Sequence, residues 1–399
     1  MKRLLIIGAS ILQLPAILKA KEMGLYVAVA DFNPHAIAIP YADEYYNVST
    51  IDEQGVCAAA KAFQADGIMT LATDMPMRSV ACSCKELGLT GISYETAVKA
   101  TDKGEMIKAF ASAGVEHPWY HIIPAESKVI PEGITYPCIT KPTDNAGSRG
   151  VMLVNSREEL EAALAYSREN GRSGNVIVEE YMVGPEVSVE VIVWQGIPHV
   201  LQVTDKLTTG APHFVEMGHS QPSRLPPADL EKIRDLACRA VKAVGIDNGP
   251  AHVEIMLTKD GPKMVELGAR MGGDCITSHL VPLSTGIDMV KATIDISLGL
   301  TPDITPRFEK GSAIRFFDVP HGVIAAFDGV EKARQIPGIQ EISFTKQVGD
   351  TVTAKDVVNL RTLPSTTDPA CKVVAQLKKG DTNLQNNIRD ITANINSCL

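Results

Sequence analysis

The chain has 399 residues, 45% of them hydrophobic and 21% charged, with a formal net charge of −9. That length asks for two or three domains, and the composition excludes a disordered or fibrous chain. The acidic balance argues against bulk nucleic-acid binding but leaves room for a local basic pocket.

The start, MKRLLIIGASILQLP, sets two basic residues before an apolar run. The run breaks at Gly8, and Gln13 and Pro15 follow, so it reads as a strand rather than a signal peptide. No run of about 18 apolar residues follows, so no membrane span is expected. The eight cysteines show no zinc-like or thioredoxin-like spacing, Cys82 and Cys84 being the one close pair. Free thiols and a cytoplasmic location are the expectation.

Residues 1–95 alternate strand and helix signals. Apolar runs at 4–7, 25–30 and 68–71 read as strands buried on both faces. Helical spacing fills 11–23 and 54–63. This punctuation predicts a parallel, doubly wound α/β domain. A helix is expected from Asp102, as N-cap with Glu105 as its capping-box partner, to about Ala113.

From 136 to 190 the pattern predicts a small α+β unit with antiparallel pairing. Its strands lie near 138–141, 151–154, 176–180 and 187–193, with a helix over 158–169. An amphipathic helix is expected over 230–244. A hairpin over 251–257 and 263–266 would turn at Lys259-Asp260-Gly261, with a further helix over 288–298. A change in composition after Thr301 predicts a separate C-terminal module, with strands near 313–317, 339–344 and 373–376.

Four segments carry chemistry. Lys141 ends a strand before Asp144-Asn145-Ala146-Gly147-Ser148-Arg149-Gly150, a loop able to set an ammonium and backbone N–H groups, near Ser148, around phosphate oxygens. A plain hairpin turn fits this loop equally well. Glu179-Glu180-Tyr181-Met182, followed by Gly184-Pro185-Glu186, offers backbone to an adenine edge and a carboxylate to ribose hydroxyls. A charged strand end is the simpler alternative. Glu254 and Glu266 lie in apolar strands on either side of one turn, where they can face each other. A hard divalent cation would relieve both their repulsion and the cost of burying them. Arg270, in a glycine-rich segment, suits a bidentate contact to carboxylate or phosphate, or else neutralises Asp274.

In this order, from Asp102-Lys103 to Glu266, the pieces resemble the ATP-grasp superfamily over roughly residues 1–300. The resemblance implies a pre-ATP-grasp domain (1–95), a two-subdomain ATP-grasp domain (96–300, with a lid over about 115–185) and a C-terminal α+β module (301–399). It implies ATP contacts from Lys103 and Lys141 to phosphates, Glu179 to Met182 to adenine, and Glu186 to ribose. Glu254 and Glu266 would hold Mg²⁺, or Mn²⁺ in its place. The start, Gly8-Ala9-Ser10-Ile11-Leu12-Gln13, is similar to that of carbamoyl-phosphate-synthase-like members.

Phe214-Val215-Glu216-Met217-Gly218-His219, with Pro222, and the stretch from Gly311 on resemble the L-amino-acid ligase group. That implies an ATP-dependent carboxylate–amine ligase acting through an acyl phosphate on small-molecule substrates. Arg270 and Lys141 would be catalytic, His219 would orient a substrate, and Lys206 is a further candidate. Many members carry Asn where this chain has Gly268, which bears on the number of metal ions. Rival expectations are bicarbonate or a purine-pathway acid as acceptor, or, without ligase activity, a nucleotide-binding regulator or an NAD-linked Rossmann protein with Asp31 on the ribose. The missing G-x-G-x-x-G counts against the last. A homodimer is the base-rate expectation.

Overall fold

The computed structural model describes residues 1–127, 129–147, 149–210, 215–316, 322–327, 329–344, 346–352 and, as backbone, 371–377. The first unit runs β1 (Arg3–Ile7), α1 (Leu14–Glu22), β2 (Tyr26–Asp31), β3 (Glu44–Asn47), α2 (Glu53–Phe63), β4 (Gly67–Met69) and α3 (Met77–Leu87). Its four strands are parallel, in the order β3-β2-β1-β4. Because side chains alternate along a strand, Leu4 and Ile6 pack with Ala16 and Ile17 of α1, while Leu5 and Ile7 pack with Val56 and Phe63 of α2. Helix α1 starts later than its apolar spacing predicts. Ser10 donates from both its backbone N–H and its hydroxyl to Gln13 Oε1, holding residues 11–13 as a turn ahead of Pro15.

Helices α4 (Tyr94–Thr101) and α5 (Lys103–Ser112) meet at Asp102. Its N–H donates to Val98 O at the end of α4, and its carboxylate accepts from Gly104 N and Glu105 N at the start of α5. The expected return bond from Glu105 does not form, because the Asp102 N–H is already committed. Glu105 takes Lys108 at 2.7 Å instead.

The next unit holds β5 (Tyr120–Ile123), β6 (Cys138–Pro142), β7 (Met152–Val154), α6 (Arg157–Glu169) and β8 (Val176–Glu180). Its antiparallel sheet, ordered β5-β8-β6-β7, has its own core of Cys138, Val154, Leu160, Leu164, Val176 and Val178. A unit with its own core moves as a body when its connections allow. The chain leaves it through Gly184, where a Cβ would run into the Leu257 carbonyl oxygen.

The main sheet begins with β9 (Glu186–Trp194), β10 (Ile197–Thr208) and β11 (Glu216–Gln221), followed by α7 (Pro227–Val244), β12 (Gly249–Thr258) and β13 (Gly261–Gly268). After α8 (Val281–Thr285) and α9 (Met289–Ser297) come β14 (Gly311–Phe316), β15 (Gly322–Val323), α10 (Val330–Arg334), β16 (Ile339–Phe344), β17 (Thr351–Val352) and β18 (Cys371–Leu377). Eight strands form one sheet in the order β13-β12-β9-β10-β11-β14-β18-β16, and β15 pairs with β17. The apolar stripe of α7, with Ile233, Leu236 and Val241, covers Val189, Val253 and Leu267. No helix among the described residues is long and apolar enough to cross a membrane. No disulfide forms among the six cysteines with described side chains, and burial pushes the Cys84 thiol up to about 12.

Candidate active site

The hairpin β12–β13 sets Glu254 directly opposite Glu266, its turn falling at Lys259 and Asp260. Side chains in that register share a face. Each carboxylate meets an ammonium. Lys103, at the first position of α5, brings Nζ to 3.1 Å from Glu266 Oε2 and donates to the Asn145 carbonyl at 2.9 Å. Lys206, inward on β10, lies 3.0 Å from Glu254 Oε2, 2.6 Å from Glu186 Oε1 and 3.5 Å from Glu216 Oε1.

Above this face lies the separate four-stranded sheet. Its Lys141 on β6 pairs with Glu179 on β8 at 2.5 Å, both buried. Between the two sheets is a cleft of about 190 Å³, lined by Lys103, Lys141, Glu179, Glu180, Tyr181, Met182, Glu186, Lys206, Glu254 and Glu266. Ile139, Met182, Met256 and Val265 give it an apolar wall, the usual surround for a planar ligand. Glu180 is tied to Lys263 of β13 at 2.7 and 3.0 Å, across the two units. Ser148 and Phe214 lie outside the described residues.

The charges interlock. Burial alone would lower the Lys206 ammonium, but Glu254, Glu186 and Glu216 hold its pKa well above the ordinary lysine value. Burial raises Glu186. Burial opposes ionisation of Glu254 too, yet Lys206 and His252 hold its carboxyl well below the usual range. His252 sits beneath, its Nδ1 2.7 Å from Glu190 and its Nε2 3.4 Å from Glu254. Burial disfavours its imidazolium, but those two carboxylates raise it to about 9. No role for His252 or Glu190 is legible in the sequence, and Glu216 figures there only within the 214–219 segment. Their signal was alternation within strands whose partners are distant in the chain.

Arg270 and His219 lie apart from one another's partners. Arg270 makes a two-pronged contact with Asp74, Nε to Oδ1 at 2.9 Å and Nη2 to Oδ2 at 3.0 Å, rather than neutralising Asp274. Burial opposes this charge, and Asp74 raises it. Asp274 instead accepts from His219 Nε2 at 3.1 Å, while His219 Nδ1 is buried with no hydrogen-bond partner among the described residues. In the first unit the Asp31 carboxylate accepts from Ala9 N and Asn33 N, and the Gln13 side chain fills the space beside Gly8.

Among the described residues no group of three or more His, Cys, Asp or Glu side chains is placed to hold a metal alone. Two carboxylates in cross-strand register, flanked by lysines, fit a hard divalent ion that arrives with phosphate oxygens of its own.

Residues 134–278 match the family model of the ATP-grasp domain. The chain is 26% identical over 307 residues to the uncharacterized protein y4rH of Sinorhizobium fredii, covering 75% of this chain and 60% of that one. It is 28% identical over 315 residues to alanine–anticapsin ligase of Bacillus subtilis, covering 72% and 66%. The chain thus spans less than two thirds of the length of these curated relatives. The crystal structure of an L-amino acid ligase from Bacillus licheniformis has the same fold, with a TM-score of 0.84 at 22% identity over 99% of this chain and 98% of that one. Residues 134–278 are an ATP-grasp domain.

Proposed function

We propose that the protein is an ATP-dependent carboxylate–amine ligase that forms an amide or peptide bond through an acyl phosphate. The observation that carries this is the cross-strand pair Glu254 and Glu266, set in one cleft with Lys103, Lys141 and Lys206 between two sheets. The ligase named among the relatives and the L-amino acid ligase fold support it. The substrates are a small carboxylic acid and an amine, acted on in the cytoplasm.

ATP would lie with its base along the apolar wall and segment 179–182, its ribose at Glu186 and its phosphates at Lys103 and Lys141. Mg²⁺, or Mn²⁺ in its place, would be held by Glu254 and Glu266 and would neutralise phosphate charge. A carboxylate oxygen of the acid attacks the γ-phosphorus, the bond to the β–γ bridging oxygen breaks, and ADP leaves. The amine nitrogen then attacks the acyl carbon, phosphate leaves, and the nitrogen gives up its proton. The chain's own part is positioning and charge neutralisation. Lys141, pinned by Glu179, and Lys103, pinned by Glu266, present fixed ammonium groups. Arg270 steadies the reacting oxyanion, and His219 orients a substrate. The 115–185 unit closes to exclude water from the intermediate.

The test is incubation with ATP, Mg²⁺ and a panel of amino acids, scored by ADP and phosphate release and by mass spectrometry of the product. Glu266→Ala is expected to abolish turnover. Full activity in that variant would defeat the metal assignment, and release stimulated by bicarbonate alone would defeat the choice of acceptor.

A further inference from the structure

Gly268 is a glycine without a local reason. It ends strand β13, paired with His252 of β12, and its backbone is not in the left-handed region. Glycine weakens a strand, and within one it often marks close approach of another group. Here that group is the Asp74 carboxylate. A Cβ on residue 268 would lie 2.5 Å from Asp74 Oδ1 and 3.0 Å from Arg270 Nε. The missing side chain is the space through which Asp74, carried by the N-terminal unit just beyond β4, reaches Arg270. The backbone that delivers it is itself unusual, since Ala72 holds φ at 61°, a conformation that costs a non-glycine residue energy.

The contact fixes which way the guanidinium faces. Arginine has five N–H donors. Nε and Nη2 each give one to Asp74, and Nη1 gives one to the Met271 carbonyl at 3.3 Å. Among the described residues one N–H on each terminal nitrogen is left, the pair that grips an oxyanion with two parallel bonds. Asp74, Lys103, Glu266, Gly268 and Arg270 all line one cavity of about 410 Å³, and Lys103 and Glu266 also line the cleft between the sheets.

We propose that Asp74 is a positioning residue: through the gap at Gly268 it holds Arg270 with its terminal N–H pair presented to the oxyanion of the acid substrate. This rests on the ligase reading, which sets Arg270 at the reacting group, but the contact can be tested without turnover.

Asp74→Asn keeps the shape and removes the charge. It is expected to lower kcat about 10–100-fold, the usual cost of losing such a supporting partner. The KM for ATP and the calorimetric affinity for ADP with Mg²⁺ should stay unchanged, because neither depends on Arg270. Gly268→Asp alone should abolish turnover by crowding Asp74. Combined with Asp74→Gly, which moves the carboxylate onto β13, it should recover at least tenfold. Asp74→Ala and Arg270→Ala should also shift the melting temperature non-additively. Wild-type kcat in Asp74→Asn, or an equal loss of kcat and ADP affinity, would overturn the proposal. So would additive melting shifts, with or without turnover. If no acid supports ADP release from the wild type while the melting shifts remain coupled, the ligase reading falls and the positioning contact stands.

Discussion

Replacing Lys206 by Met should destabilise the main sheet at neutral pH and do so less in acid. Its side chain is 5% exposed, and its ammonium lies within 3.5 Å of Glu186, Glu216 and Glu254. At an effective dielectric near 20, a pair of unit charges at about 4 Å interacts by about 4 kcal/mol. Desolvation cancels much of that, so the useful figure is the cost of leaving a buried partner alone, about 3–5 kcal/mol. The loss must depend on pH. Burial already raises Glu186, and Glu254 is held low chiefly by Lys206 against burial. Without the ammonium Glu186 rises further above its unfolded value and Glu254 loses its chief support, so the variant loses stability as pH climbs past the ordinary carboxylate range and regains it below. The chain has two tryptophans, and Trp194 ends β9 in this sheet. In a Trp119→Phe background, Trp194 fluorescence in urea reports the transition at pH 7 and pH 5. A deficit under about 1 kcal/mol at pH 7, the level of a surface pair, would refute the argument, as would a deficit that grows at pH 5.

Three other outcomes follow from the same geometry. Lys141→Met should raise the KM for ATP more than it lowers kcat, and steady-state kinetics with ATP varied would show it. The His252 imidazolium, held to about 9, contributes stability that is full below its unfolded value near 6.5 and lost as pH rises through 9. The wild type should therefore lose about 3 kcal/mol across that window, and His252→Asn should lack this slope in urea midpoints measured against pH. Gly184→Ala should push β8 away from Leu257, weakening ADP binding by calorimetry before it disturbs the N-terminal sheet.

The parts of this molecule written in one stretch of chain were legible before the fold was known. The strand at Val176–Glu180, the helix capped by Asp102 and the hairpin carrying Glu254 and Glu266 each depend on neighbours in sequence. β10 and β11 gave no such signal. They interleave His199, Asp205, Lys206 and His219 with apolar residues, and a buried lysine makes sense only once three carboxylates from three other strands surround it. Asp74 was harder still. In sequence it is a polar residue after a strand, and its partner Arg270 is 196 positions away. Gly268 could be noticed as a departure from a family pattern, but the carboxylate that fills its place could not. Metal neutralisation looked necessary for the glutamate pair on sequence grounds. In the fold, Lys103 and Lys206 already balance them, which leaves cation binding to depend on the phosphates that accompany it.

The pairing of β11 with β14 sets Gly218 to Gln221 against Ser312 to Arg315, with Arg315 also donating to the His219 carbonyl and the Ser220 hydroxyl. A chain ending at Lys310 would turn β11 from an interior strand into a bare rim, its N–H and C=O groups open to any extended segment that arrives. Such a chain would keep the residues that face the nucleotide cleft and yet be prone to stick to copies of itself. Here the last strands act as a selvedge, a woven border that keeps the cloth from unravelling into its neighbour.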